Sequence, residues 1–235
     1  MTTSAASGTL EEPQVRAMFD RIAGVYDRMN SVMTAGLHHQ WRRRAADLAE
    51  LGPGGIALDV ACGTGDLAVE LSRRVGPAGV VIGSDFSEGM LDLARRKAPG
   101  LTWEWANALE LAYDDDRFDA VTVGFGARNF ADLDQGLREM VRVTKPGGRV
   151  VVLEITTPTK PPLSTFFSAW FDRVVPLIGT LAGDADAYTY LPSSVKRFPG
   201  PHELAHRLSV CGLQDIRYVL TAGGIIALHA GRKPQ

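Results

Sequence analysis

Apolar positions fall into two patterns along this 235-residue chain. Over residues 12–50 they recur with helical spacing, and Val15, Met18, Phe19, Ile22, Val25 and Tyr26 share one face. The Gly-Pro-Gly-Gly run at 52–55 breaks that pattern. Beyond it, short apolar runs alternate with amphipathic stretches. Strands are predicted at 56–61, 80–84, 102–106, 118–123 and 150–154, and helices at 66–75, 88–98 and 132–143. Such alternation implies a parallel sheet covered by helices on both faces, joined by right-handed crossovers. The end of the chain differs. Runs at 216–221 and 225–230 are separated only by Ala222, Gly223 and Gly224, a loop that suits an antiparallel hairpin. The long connection at 155–199, rich in Pro and aromatics, reads as a functional lid. The expected organisation is a flexible tail over 1–11 and one domain over 12–235, with 12–50 a helical cap and 155–199 the lid insertion.

Composition narrows the partners. The chain is 45% hydrophobic and 22% charged, and its length suits one sizeable core rather than two. A formal net charge of −2 offers no basic field for nucleic acid. The run Arg42, Arg43, Arg44 is the local exception, and it reads as a solvated helix face. Two cysteines, Cys62 and Cys211, build neither a disulfide framework nor a four-cysteine zinc site. The small, polar residues at 1–9 lack the features of a signal peptide, and no apolar run approaches the ~20 residues that span a bilayer. A cytoplasmic protein is expected.

Candidate chemistry begins at Asp59-Val-Ala-Cys-Gly-Thr-Gly-Asp66, which follows a strand and opens a helix. Gly63 and Gly65 permit a tight turn and close approach of a ligand to the backbone. Gly63-x-Gly65-x-x-Ala68, with Asp85 twenty residues after Gly65, also fits a dinucleotide fingerprint and so a dehydrogenase. Charge separates the two readings. A dinucleotide places a pyrophosphate on the helix N-terminus, where Asp66 and Asp59 would repel it. S-adenosylmethionine brings a sulfonium and an ammonium instead. Opposite charges ~4 Å apart gain roughly 4 kcal/mol at a surface-like dielectric. Asp85 is placed to accept the ribose hydroxyls.

A second motif, His202-Glu-Leu-Ala-His206, matches the zinc-protease helix signature. Pro201 looks like the first residue of its helix. No glutamate follows Glu203, and a zinc site needs a further protein ligand. The two histidines are therefore expected to face solvent, and no metal is assigned.

Five segments together resemble the demethylmenaquinone/2-polyprenyl-benzoquinol C-methyltransferases of the menaquinone and ubiquinone pathways. They are Phe19-Asp-Arg-Ile-Ala-Gly-Val-Tyr-Asp-Arg-Met-Asn30, the Asp59–Asp66 loop, Phe125-Gly-Ala-Arg-Asn129, Thr144-Lys-Pro-Gly-Gly148 and Leu220-Thr-Ala-Gly-Gly-Ile-Ile-Ala-Leu-His229. The resemblance runs over residues 15–231. It implies a Rossmann-like α/β class I methyltransferase fold, with a seven-stranded, mostly parallel sheet whose last strand is antiparallel. It also implies cofactor contacts at Thr64, Asp85, Asn107 and Ala108. A Ser often precedes the Phe-Gly-x-Arg-Asn motif in this family. Here that position is Gly124, so a contact there uses the backbone.

The substrate class so implied is a prenylated quinol, with demethylmenaquinol preferred over the benzoquinol of the ubiquinone pathway. Its ring carbon needs an ionised oxygen beside it, and a phenol-like proton titrates near ~10. Arg128 is the expected donor to that oxygen, with Asn129 orienting it. A charge-assisted hydrogen bond is worth roughly 1.5–3 kcal/mol. A water, Tyr26 or His229 is the candidate proton acceptor. The apolar runs 161–171 and 174–178 suit a cover over a polyprenyl tail, with peripheral contact at the inner face of a membrane. A homodimer is left open. A non-catalytic quinone carrier is the remaining alternative, but it would not need the cofactor contacts.

Overall fold

The computed structural model describes residues 12–170 and 185–235. The expectations for residues 1–11 and for the 174–178 run lie outside the described residues.

Helices α1 (Glu12–Thr34) and α2 (Leu37–Leu48) precede an alternation of β1 (Ile56–Val60), α3 (Asp66–Val75), β2 (Val80–Asp85), α4 (Glu88–Lys97) and β3 (Thr102–Trp105). Then come β4 (Phe118–Gly124), a 3-10 turn (Ala127–Asn129), α5 (Leu133–Val143) and β5 (Thr144–Ile155). The insertion contributes α6 (Leu163–Ala169) and α7 (Ala185–Arg197), followed by α8 (Pro201–Val210), β6 (Gln214–Thr221) and β7 (Ile226–Arg232). The seven strands lie in the order β3-β2-β1-β4-β5-β7-β6. Only β7 runs against the others, pairing antiparallel with both β5 and β6.

Alternation within the strands divides the core. Ala57, Val81, Ala120, Val151 and Leu228 pack with Trp41, Leu71 and Leu91 of α2, α3 and α4 on one face. Leu58, Ile82, Val121 and Val152 pack with Leu137 of α5 and Leu204 of α8 on the other. Strands buried on both faces read as near-continuous apolar runs, which is why β1, β4 and β5 stood out in the sequence.

Two expectations change. The continuous helix over 12–50 is two helices, because Ala35 and Gly36 both adopt left-handed φ, at 49° and 75°. The Gly36 N–H donates to the Ser31 carbonyl (2.9 Å), which ends α1 in a tight C-terminal turn. Strand β5 starts six residues earlier than the run 150–154, since Thr144 already pairs with Phe118 of β4 across a register shift. The connection 155–199 carries helices α6 and α7.

Strand order reverses between β1 and β4, each continuing outward on its own side. In open α/β sheets the crevice beyond the strand ends at such a switch point is where ligands bind. The loop after β1 and the turn after β4 both open there.

Candidate functional site

The loop between β1 and α3 is shaped by Gly63 (φ 56°) and Gly65 (φ 85°). A side chain at Gly65 would strike the Trp103 ring at 2.3 Å, so glycine there serves packing and the turn. Gly63 brings its N–H to Asp85 Oδ2 at 2.8 Å, while Ser87 N–H donates to Asp85 Oδ1 at 2.9 Å. Both bonds favour the carboxylate. Burial outweighs them and pushes Asp85 up to about 6. Each carboxylate oxygen keeps a further lone pair for a hydroxyl.

A cleft opens beside this loop. Gly63, Thr64, Asp85, Asn107, Ala108 and Gly124, all assigned a cofactor contact in the sequence reading, line it. Asp59 and Gly65 are not in that lining. Asp59 is buried and accepts from Thr122 Oγ1 at 2.7 Å, and its Oδ2 has no partner among the described residues. Burial raises it to about 7. Asp66 is no bare carboxylate either. Lys97 Nζ lies 2.7 Å from it, and the Arg42 guanidinium 3.4 Å. The negative field expected of Asp59 and Asp66 is therefore partly neutralised, and Asp85 and Glu12 are the acids that line the cleft.

Helix α1 closes the cleft with one carboxylate for each of the three loops after β1, β2 and β3. Glu12 Oε1 accepts from Asn107 Nδ2 (3.1 Å) after β3. Asp20 Oδ1 accepts from Ser87 Oγ (2.5 Å) and Gly89 N–H (3.2 Å) after β2. Asp27 accepts from Thr64 Oγ1 (2.6 Å) after β1 and pairs with Lys97 (2.6 Å). Intervals of eight and seven residues, about two helical turns each, place these acids on one side of α1. That spacing was visible in the sequence, but its partners were not.

A second cavity of about 530 Å³ adjoins the first. Its walls are mostly apolar and come from α1, α2, α6, α7 and the loop before β7. Phe19, Tyr26, Arg42 and Phe125 line both cavities, so the two meet at these side chains. Arg128 lines the second cavity only. It is buried and paired with Glu154 at 2.8 Å, and it also donates to the Phe125 carbonyl. Its Nε–H has no acceptor among the described residues. Asn129 lines the first cavity instead, and its Oδ1 is likewise buried without a partner. The tight turn thus sends neighbouring side chains to different cavities, and the expectation that both address one oxygen does not follow from the geometry.

Two further expectations are corrected. His229 lines neither cavity. Alternation along β7 places Leu228 and Ala230 with the α2–α4 layer, and His229 turns to the other face. There its Nε2 donates to the Pro201 carbonyl at 2.9 Å, which removes it as a base for the site. The arginine run is not uniformly solvated. Arg43 and Arg44 are exposed, but Arg42 is only 6% exposed. A helical count would have found it, because Arg42 lies one turn from the buried His38 and Ala45/Ala46.

The zinc-like motif resolves as surface. His202, Glu203 and His206 are exposed on α8, Glu203 pairs with Arg207 at 2.7 Å, and His202 lies 3.0 Å from the Tyr218 hydroxyl. Among the described residues, His38, His39 and Asp66 come close enough to share a cation. Arg42 already bonds His38 and stands beside Asp66, so a positive group is in place there.

An open α/β sheet with an antiparallel seventh strand, a glycine loop at its switch point and an acid at the end of β2 is the architecture of class I methyltransferases. The SAM-dependent methyltransferase of Thermotoga maritima described as a possible histamine N-methyltransferase superposes with a TM-score of 0.67 over 93% of this chain and 99% of its own, at 19% identity. That likeness is one of fold. The chain belongs to the ubiE/COQ5 methyltransferase family, whose pattern matches residues 7–233, and it is a methyltransferase. The demethylmenaquinone methyltransferase of Thermus thermophilus is 46% identical over 92% of this chain and 100% of its own length. The one from Desulfitobacterium hafniense is 41% identical over 97% and 93%.

Proposed function

We propose that the chain transfers a methyl group from S-adenosylmethionine to a ring carbon of a prenylated quinol, with demethylmenaquinol as the acceptor. One observation carries this reading. A polar cleft at the switch point and an apolar chamber meet at Phe19, Tyr26, Arg42 and Phe125, as a donor site and a greasy acceptor site must. The names of the relatives at 41% and 46% identity supply the acceptor.

The residues present fit the cofactor. Asp85 offers acceptors for the ribose hydroxyls, Asn107 offers amide groups beside the cleft, and Glu12 adds negative charge to the lining. The bound cofactor supplies an electrophilic methyl on a positively charged sulfur. Everything else falls to the chain. Helix α1 excludes water by closing over the three loops. Arg128 donates its free Nε–H to the quinol oxygen and favours the ionised form. Glu154 offsets part of that positive charge, so Arg128 acts more as an oriented donor than as a bare cation. A guanidinium is no base. Tyr26 stands at the junction, within reach of both cavities, and is the candidate proton acceptor in place of His229.

Helices α6 and α7 serve as the cover of the chamber. Phe166, Phe167, Trp170 and Leu191 contribute to its wall. Val32 and Leu37, also in the lining, are 73% and 47% exposed. This apolar margin suits a tail that leaves the chamber toward a membrane surface. No helix among the described residues is long and apolar enough to cross one.

A methyl-transfer assay with paired naphthoquinol and benzoquinol acceptors tests the reading. The expected result is C-methylation with a higher kcat/KM on demethylmenaquinol. Preference for the benzoquinol would move the enzyme to the ubiquinone-type reaction, and no transfer to either would remove the quinol assignment.

A further inference from the structure

Among the described residues lining the cofactor cleft, Arg42 is the only one with a positive side chain. It is 6% exposed. Its guanidinium lies 5.4 Å from the centre of the Phe125 ring and 3.4 Å from Asp66, the first residue of α3. Lys97, at 2.7 Å, is the closer partner of Asp66. The one hydrogen bond to Arg42 given by the described residues runs from Nη1 to His38 Nδ1.

That bond fixes the chemistry of His38. An arginine always donates, so Nδ1 must be unprotonated. Burial, followed by the charge of Arg42, holds the ring down to about 4, so it is neutral at physiological pH. The proton then sits on Nε2 and points to Ser31 Oγ at 3.2 Å, and Ser31 donates onward to the Asp27 carbonyl at 2.9 Å. A neutral, tautomerically fixed histidine thus orients the guanidinium without competing for its charge. The remaining N–H groups form a fork that suits a carboxylate.

We propose that Arg42, positioned by His38, binds the α-carboxylate at the amino-acid end of the cofactor. The inference rests on the cofactor reading given above. S-adenosylmethionine carries two positive groups and one carboxylate. Asp85 and Glu12 suit its neutral and positive parts and repel the carboxylate. Arg42 answers that one negative group, at the end of the cleft nearest α3. Arg128, which lines the chamber alone, is left for the acceptor.

Calorimetry with S-adenosylhomocysteine and 5′-methylthioadenosine tests this without turnover. The two share the adenosine thioether, and only the first has the amino-acid end. R42A is expected to weaken S-adenosylhomocysteine about 10- to 100-fold while 5′-methylthioadenosine changes less than about twofold. R42K, which keeps the charge and loses the fork, should fall between. Decarboxylated S-adenosylmethionine makes the same deletion on the ligand, so the unmodified protein should bind it at least tenfold more weakly than the parent cofactor. Equal weakening of both thioethers by R42A would make Arg42 a packing residue and overturn the proposal. So would unchanged cofactor binding with a raised acceptor KM, which would assign Arg42 to the quinol. Failure of the unmodified protein to bind any of these ligands would instead remove the cofactor reading, and this inference with it.

Discussion

The two cavities are built by opposite strategies. The donor cleft is framed by loops that leave the ends of β1, β2, β3 and β4, with positions fixed by backbone pairing in the sheet. The acceptor chamber is walled by side chains from α1, α2, α6 and α7, held by packing and a few polar bonds. A sheet-borne site is rigid and selects by hydrogen bonds and charge. A helix-walled site selects by shape and apolar area, and it tolerates a long, featureless ligand. Methyl transfer to a lipid-like quinol needs both kinds side by side.

The largest separation between the two should come from Arg128, which belongs to the chamber alone. Arg128→Ala is expected to lower kcat about 100-fold while S-adenosylhomocysteine binds as before in calorimetry. The same change strands the buried Glu154, so thermal unfolding should be recorded alongside. Unaltered turnover would remove Arg128 from the mechanism. The next effect tests the apolar wall. Acceptors lacking the prenyl tail should show KM raised at least about tenfold, since burial of a methylene is worth ~0.8 kcal/mol. Equal KM would mean that α6 and α7 cover the sheet and nothing more.

A smaller effect belongs to the cleft and carries a definite sign. Burial raises Asp85 in the cleft lining to about 6 and Asp59, outside that lining, to about 7, so both take up protons as pH falls from neutral. A cation favours the ionised forms, and its binding expels protons. Affinity for S-adenosylmethionine should therefore rise several-fold as pH increases from ~5.5 to ~7.5 and then level off. Asp85→Asn should flatten the lower part of that profile. A pH-independent affinity in the unmodified protein would contradict the assignment. The smallest effect is expected at the histidine pair on α8: His202→Ala and His206→Ala should leave methyl transfer unchanged, and metal analysis should find no stoichiometric zinc.

The same contrast explains what could be read from the chain. The donor cleft is local in sequence. Gly63, Thr64, Asp85, Asn107 and Gly124 each end a strand or follow one by at most four residues, so periodicity located the strands, spacing picked out the glycine loop and Asp85, and the family resemblance supplied Thr64, Asn107 and Gly124. The chamber joins residues more than a hundred positions apart, such as Met18 and Arg128, and no local pattern records that they share a wall. The misreadings have the same origin. Arg42 looked solvated because the run was read as three adjacent charges, whereas the helix turns only its first member inward. His229 looked available because a strand's alternation does not say which face holds the site. Asp59 and Asp66 looked bare because their partners, Thr122, Lys97 and Arg42, come from other elements.

A crystal structure of the protein with S-adenosylhomocysteine and a short-tailed demethylmenaquinol would measure the meeting of the two cavities directly. The quinol ring should lie in the chamber, with its reacting carbon facing the thioether sulfur across the boundary formed by Tyr26 and Phe125 and an oxygen on Arg128. A ring bound elsewhere, or a cofactor whose sulfur points away from that boundary, would contradict the account.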